Sequence, residues 1–129
     1  MKKYENFCSA LTNLTEIETK SPPFDTITTA GMVALFEICF EQSWKLIKEI
    51  LELHGVGEAK IGSPRMIIKQ AFAAGMIDDE AGWLEMLTAR NDVAHSYNEA
   101  IALAIIDASK EKFLPLFAAL KKEIDDNWS

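Results

Sequence analysis

Apolar residues recur every three or four positions along most of this chain, the spacing of one face of an α-helix. Tyr4, Phe7, Leu11, Leu14 and Ile17 make the first such face. A second starts behind Asp25, a side chain suited to capping a helix, and runs to about His54. Its stripe of Phe36, Phe40, Ile47, Ile50 and Leu51 is widened by Leu35, Ile38, Cys39 and Leu46. So broad an apolar surface suits a helix covered on more than one side, in a bundle or at a dimer interface. Ser63-Pro64 predicts a third start, serine as cap and proline at the first helical position. That helix carries Met66, Ile67, Ile68, Ala71 and Phe72 and closes at Gly75. Asp78 or Asp79 can cap a fourth, which holds Trp83, Leu84, Met86 and Leu87. A last helix spans about Tyr97 to Ile124, with a kink or break expected at Pro115, whose ring does not fit a regular helix interior.

The breaks between these periods are few: Ser21-Pro22-Pro23, the run from Gly55 to Pro64, and softer ones near Gly75 to Asp79 and at Ser96. No turn dipeptide sits between alternating apolar residues, so strands are not expected. The pattern predicts an all-α fold, an antiparallel up-and-down helical bundle of four main helices plus a shorter one. With no repeat and no linker, residues 1–129 form one domain.

Composition narrows the function. A chain of 129 residues with 49% hydrophobic and 26% charged residues can bury a real core. Its net charge of −7 is repelled by phosphate backbones at long range, so any RNA contact needs a local basic patch. Cys8 and Cys39 suggest neither a disulfide framework nor a metal site, and no cofactor motif is present. Lys2 and Lys3 have no apolar segment behind them, so no signal peptide is expected. No apolar run is long enough to span a bilayer, and cytoplasm is the default location.

The chemistry concentrates in Arg90-Asn91-Asp92-Val93-Ala94-His95-Ser96-Tyr97. Ser96 with Glu99 fits a capping box, which would end one helix at Ala94 or His95 and put His95 at a helix–helix corner. A bend there could return the Tyr97 hydroxyl toward the imidazole, and Asn91 and His95 share a face. One use is structural. His95 would bond the free carbonyls of a helix end, and Arg90 would pair with Asp92, Glu85 or Glu99. The other use is metal-independent cleavage of RNA. Histidine, whose charge changes near neutral pH, is a natural general base for a ribose 2′-hydroxyl. Arg90 offers a forked donor for the scissile phosphate, and Asn91 can orient the imidazole or bind the phosphate. Leaving-group protonation then needs a further acid, which a second copy of the motif across a two-fold axis would supply.

Other features have plainer uses. Phe36, Phe40 and Trp44 could stack bases, but their place on the apolar stripe predicts packing. Glu37 and Glu41 could form a carboxylate pair, although Lys45 stands four residues after Glu41 and can neutralise it. Lys60, Arg65 and Lys69 could form a weak basic patch but are more simply a solvated face, His54 is a helix end, and Trp128 a docking or frayed terminus.

Three blocks, FEICFEQSWKLIKEIL, SPRMIIKQAFAAGMI and WLEMLTARNDVAHSYNE, resemble the HEPN superfamily in its HepT-like branch, also described as nucleotidyltransferase substrate-binding proteins. The third block contains that branch's R-x4-H-x-Y signature as Arg90, His95 and Tyr97. The resemblance implies a helical-bundle homodimer with the two motifs near each other. It implies a small nucleotidyltransferase as partner and antitoxin, RNA as substrate, and Arg90 and His95 as nuclease residues. It further implies that AMP transferred to Tyr97 silences the enzyme by placing negative charge beside Arg90. An older view of the same branch implies a non-catalytic, substrate-binding subunit of the nucleotidyltransferase.

Overall fold

The computed structural model describes residues 1–56 and 62–129, and these contain helices and no strand. Helix α1 (Lys2–Thr15) continues as a 3₁₀ turn (Glu16–Thr19), α2 spans Thr26–Leu53, α3 Pro64–Ala73, and α4 Glu80–Ser96. Helix α5 (Glu99–Ala108), a π-helical turn (Ser109–Phe113) and α6 (Leu114–Asn127) follow one another without leaving helical dihedrals, so they form one rod. The all-α expectation of four main helices and a shorter one, α3, is met.

Local signals explain most ends. The Asp25 carboxylate accepts from Thr28 N–H at 2.7 Å, the Ser63 hydroxyl from Met66 N–H at 3.3 Å, and the Asp79 carboxylate from Gly82 N–H at 2.9 Å. Each satisfies a donor that the first turn would otherwise leave free. Gly75 closes α3 with φ of 81°. There Met76 N–H reaches Ala71 C=O at 2.9 Å and Gly75 N–H reaches Phe72 C=O at 3.1 Å, the paired bonds of a left-handed helix end that glycine adopts without a Cβ clash.

One expectation fails here. Ser96 caps nothing: α4 runs through it, and Asn98 caps α5 by accepting from Ile101 N–H at 2.9 Å. The last helix therefore begins at Glu99 rather than Tyr97. Pro115 does not break the rod, whose helical dihedrals continue across it, but the regular α-helix is interrupted just ahead of it by the π turn. Proline removes one hydrogen bond and crowds the carbonyl four residues back, and a π turn re-spaces the carbonyls at that point.

The long helix α2 packs against α1, α3, α4 and α5. Lys3 near the start of α1 meets Glu49 near the end of α2, at 3.6 Å, so these two run antiparallel. His54, the C-cap of α2, packs edge-on against Trp128 just past α6, with ring centres 5.0 Å apart, so α2 and the last rod run the same way. Aromatic contacts knit the interior. Phe36 stacks on Phe113 at 5.1 Å, and Trp83 and Phe7 meet Phe117 edge-on at 5.6 and 6.3 Å. All five are fully buried, each contributing about 1.5–3 kcal/mol of transfer free energy. The apolar faces of α2 and α3 are broader than this core. Ile38, Met66 and Phe72 remain exposed. Cys39 is buried, which pushes its thiol up, and Cys8 is half-buried; both are free.

Candidate functional site

Four residues of the sequence motif lie at the C-terminal end of α4 and the two-residue step into α5. Arg90 points inward toward α2. Its Nη2 forms an ion pair with Glu41 Oε1 at 2.7 Å, and its Nη1 donates to Asn91 Oδ1 at 3.2 Å. The other Glu41 oxygen accepts from the Trp44 indole N–H at 3.1 Å. A short polar chain, Trp44–Glu41–Arg90–Asn91, thus ties the middle of α2 to α4. Both charged side chains are about two-thirds covered, at 27% and 30% exposure. Glu41 Oε1 is shut off from solvent and has no aligned hydrogen-bond donor, so the guanidinium is what offsets its charge.

These pairings replace the expected ones. Arg90 does not pair with Asp92, Glu85 or Glu99. Glu85 is taken by Lys112 at 3.3 Å, and Glu41 is taken by Arg90 rather than Lys45. Glu37, one turn before Glu41, belongs to the same patch. Burial pushes its carboxyl above the ordinary range, the Arg90 charge draws it back, and the Glu41 charge adds to the rise. Phe36 and Phe40 are in the core, which excludes base stacking on them, while Trp44 is half-buried and contributes its N–H to this site.

His95 and Tyr97 are both exposed. Five residues along an α-helix turn about 140°, so Arg90 and His95 leave α4 on different sides, whereas Asn91 and His95 are only about 40° apart. Tyr97 ends α4 in an extended conformation (φ −66°, ψ 124°). Its side chain lines a cleft of about 330 Å³ with Pro22, Pro23, Phe24, Thr29 and Leu103. The predicted return of its hydroxyl to the imidazole does not occur: among the described residues no hydrogen bond joins them. The structure therefore brings Arg90 and Asn91 together and presents His95 and Tyr97 separately.

The second histidine, His54, sits at the far end of α2 from this cleft, which Thr26 and Thr29 of the helix's first turn line. That helix has 28 residues, a length of about 42 Å. Of the three basic residues, Arg65 is exposed and Lys69 faces Glu80 at 3.9 Å, while Lys60 lies outside the described residues. Trp128 is docked rather than frayed, donating to Glu123 at 3.1 Å. Among the described residues no three His, Cys, Asp or Glu are gathered as metal ligands, and no helix is long and apolar enough to cross a membrane.

The family model described as "Nucleotidyltransferase substrate binding protein like" matches residues 1–126. A Haemophilus influenzae protein named "Probable ribonuclease HepT" is 30% identical over 78 residues, 59% of this chain and 53% of that protein's length. The match therefore spans about half of that relative. A crystal structure of a Thermus thermophilus protein, ttk003001694, superposes with a TM-score of 0.72 at 27% identity, covering 92% of this chain and 94% of the other. HI0074 from Haemophilus influenzae, whose structure is titled as revealing the fold of a substrate-binding domain of a nucleotidyltransferase, superposes with a TM-score of 0.78. It is 21% identical and covers 95% of this chain and 99% of the other, a likeness of fold.

Proposed function

Because this chain belongs to the family of nucleotidyltransferase substrate-binding-like proteins, we propose that it is the HEPN-type member of a pair with a small nucleotidyltransferase, and that it is the ribonuclease of that pair. One observation carries the reading: an arginine fixed by its neighbours and a solvent-facing histidine lie within two turns of one helix end, with an exposed tyrosine beside them. The sequence likeness to a protein named as a probable ribonuclease supports it.

The chemistry follows from those side chains. The His95 imidazole takes the proton of a ribose 2′-hydroxyl. The freed 2′-oxygen attacks the adjacent phosphorus, and the 5′-oxygen leaves with a proton from an acid, giving a 2′,3′-cyclic phosphate. Arg90 stabilises the charge that builds on the phosphoryl oxygens. One chain has no second histidine near His95, because His54 is at the other end of α2. The acid is therefore the His95 of a second copy, which makes the working unit a homodimer. AMP joined to the Tyr97 oxygen by the partner adds a phosphodiester charge at the helix end and silences the site.

A second reading has an observation of its own. Arg90 is already engaged by Glu41 and diverges from His95 around α4, an arrangement that also suits a non-catalytic, substrate-binding subunit. A labelled structured RNA pool, incubated with purified protein in excess EDTA beside His95→Ala, separates the two. We expect the wild type to cut and the variant not to, at equal thermal stability. No cutting by folded protein with Tyr97 unmodified by intact mass would shift the assignment to the substrate-binding subunit.

A further inference from the structure

Arginine is a useful phosphate ligand only when its fork is aimed, since a free side chain of this length loses conformational entropy on every encounter. Arg90 is aimed by a residue far away in sequence. Glu41 holds one Nη at 2.7 Å, and Glu41 is itself held from its other oxygen by the Trp44 indole at 3.1 Å. Asn91 occupies the other Nη at 3.2 Å. A guanidinium carries five N–H groups. One of them is donated to Asn91, and Nη2 lies against Glu41 as an ion pair without an aligned bond, so the remaining N–H groups are held in one plane for a ligand.

We propose that Glu41 is a positioning residue for Arg90 and that Trp44 is the brace that keeps Glu41 in place. This rests on the ribonuclease reading for its effect on rate, but the clamp itself does not. The Glu41 carboxylate does not touch RNA. It sets where the Arg90 fork points and keeps that fork from swinging toward solvent. The expected signature is therefore on turnover rather than on substrate affinity.

The test uses the full chain and two readouts. In NMR spectra of the Arg90 side chain, hindered rotation should give separate Nη–H resonances in the wild type. Glu41→Ala should merge them, Trp44→Phe should broaden them, and Glu41→Gln, which keeps an acceptor facing Arg90, should preserve them. In RNA cleavage, Glu41→Ala should lower kcat by about tenfold or more with KM changed by less than about twofold. Glu41→Gln should recover most of kcat. Resonances that stay separate in Glu41→Ala overturn the clamp whatever the activity. Merged resonances with unchanged kcat overturn the positioning role. Merged resonances in a protein that never cuts RNA overturn the ribonuclease reading while the clamp stands on the spectra.

Discussion

Arg90 carries two duties, and substitution will expose both. Truncating it leaves Glu41 Oε1 shut off from solvent without its counter-charge. Orphaning a covered acceptor costs about 1–3 kcal/mol, so Arg90→Ala should melt measurably lower than the wild type in a thermal scan; an unchanged midpoint would mean the ion pair is not formed in solution. His95 is exposed, and surface truncations of that kind cost within about 0.5 kcal/mol. Loss of activity in His95→Ala is thus a cleaner report on chemistry than the same loss in Arg90→Ala. The motif residues were readable in the sequence, because their types and spacing are local. The partner of Arg90 was not. Within α4, Glu85 and Asp92 stood at plausible distances along the chain, and only the packing of α2 against α4 decides that Glu41 is nearer. The same packing takes Glu41 away from Lys45.

At the scale of elements, caps do more than mark ends. Thr28 N–H bonds to the Asp25 carboxylate and, first among several causes, holds its pKa below the ordinary 3.8. A carboxyl whose folded pKa is depressed contributes stability above its unfolded pKa and loses it as pH falls through the folded one. The advantage of the wild type over Asp25→Asn, which keeps an uncharged cap, should therefore be present near neutrality and fade in acid below about pH 4. Urea unfolding at several pH values checks this; a difference independent of pH would refute it. Cap chemistry also shows where sequence logic stops. Ser63, Asp25 and Asp79 cap as their types suggest. At the α4–α5 junction both Ser96 and Asn98 are good cap residues, and the box formed with Glu99 pointed to Ser96. The chain uses Asn98, and α4 extends one or two residues further, through Ser96, as a result. Pro115 was legible as a disturbance but not as a π turn, since adjacent core contacts of Phe113 and Phe117 keep the rod whole.

At the scale of the molecule, the broad stripe on α2 is more than one bundle needs. Ile38 is 51% exposed on the helix that also carries Glu41 and Trp44. Ile38 and Glu41 are three positions apart, so the two share a side of α2. A homodimer formed through this side would cover Ile38 and bring two Arg90–His95 ends toward each other. Sedimentation should give the mass of two chains for the wild type and of one for Ile38→Lys; a wild-type monomer at tens of micromolar would remove the source of the second imidazole. On the ribonuclease reading, a chain with net charge −7 also needs such a concentration of arginines to attract RNA. The short step between α4 and α5 has a consequence for regulation. Tyr97 and Asn98 are both extended, with ψ of 124° and 172°, and the tyrosine is 49% exposed. On the proposed reading, a modifying enzyme can reach this tyrosine without unwinding α4 or α5, since Tyr97 lies between the two helices, while Asn98 keeps its cap bond to Ile101 N–H. On that reading the tyrosine is open to its partner in the folded protein, which suits a switch thrown after folding rather than during synthesis.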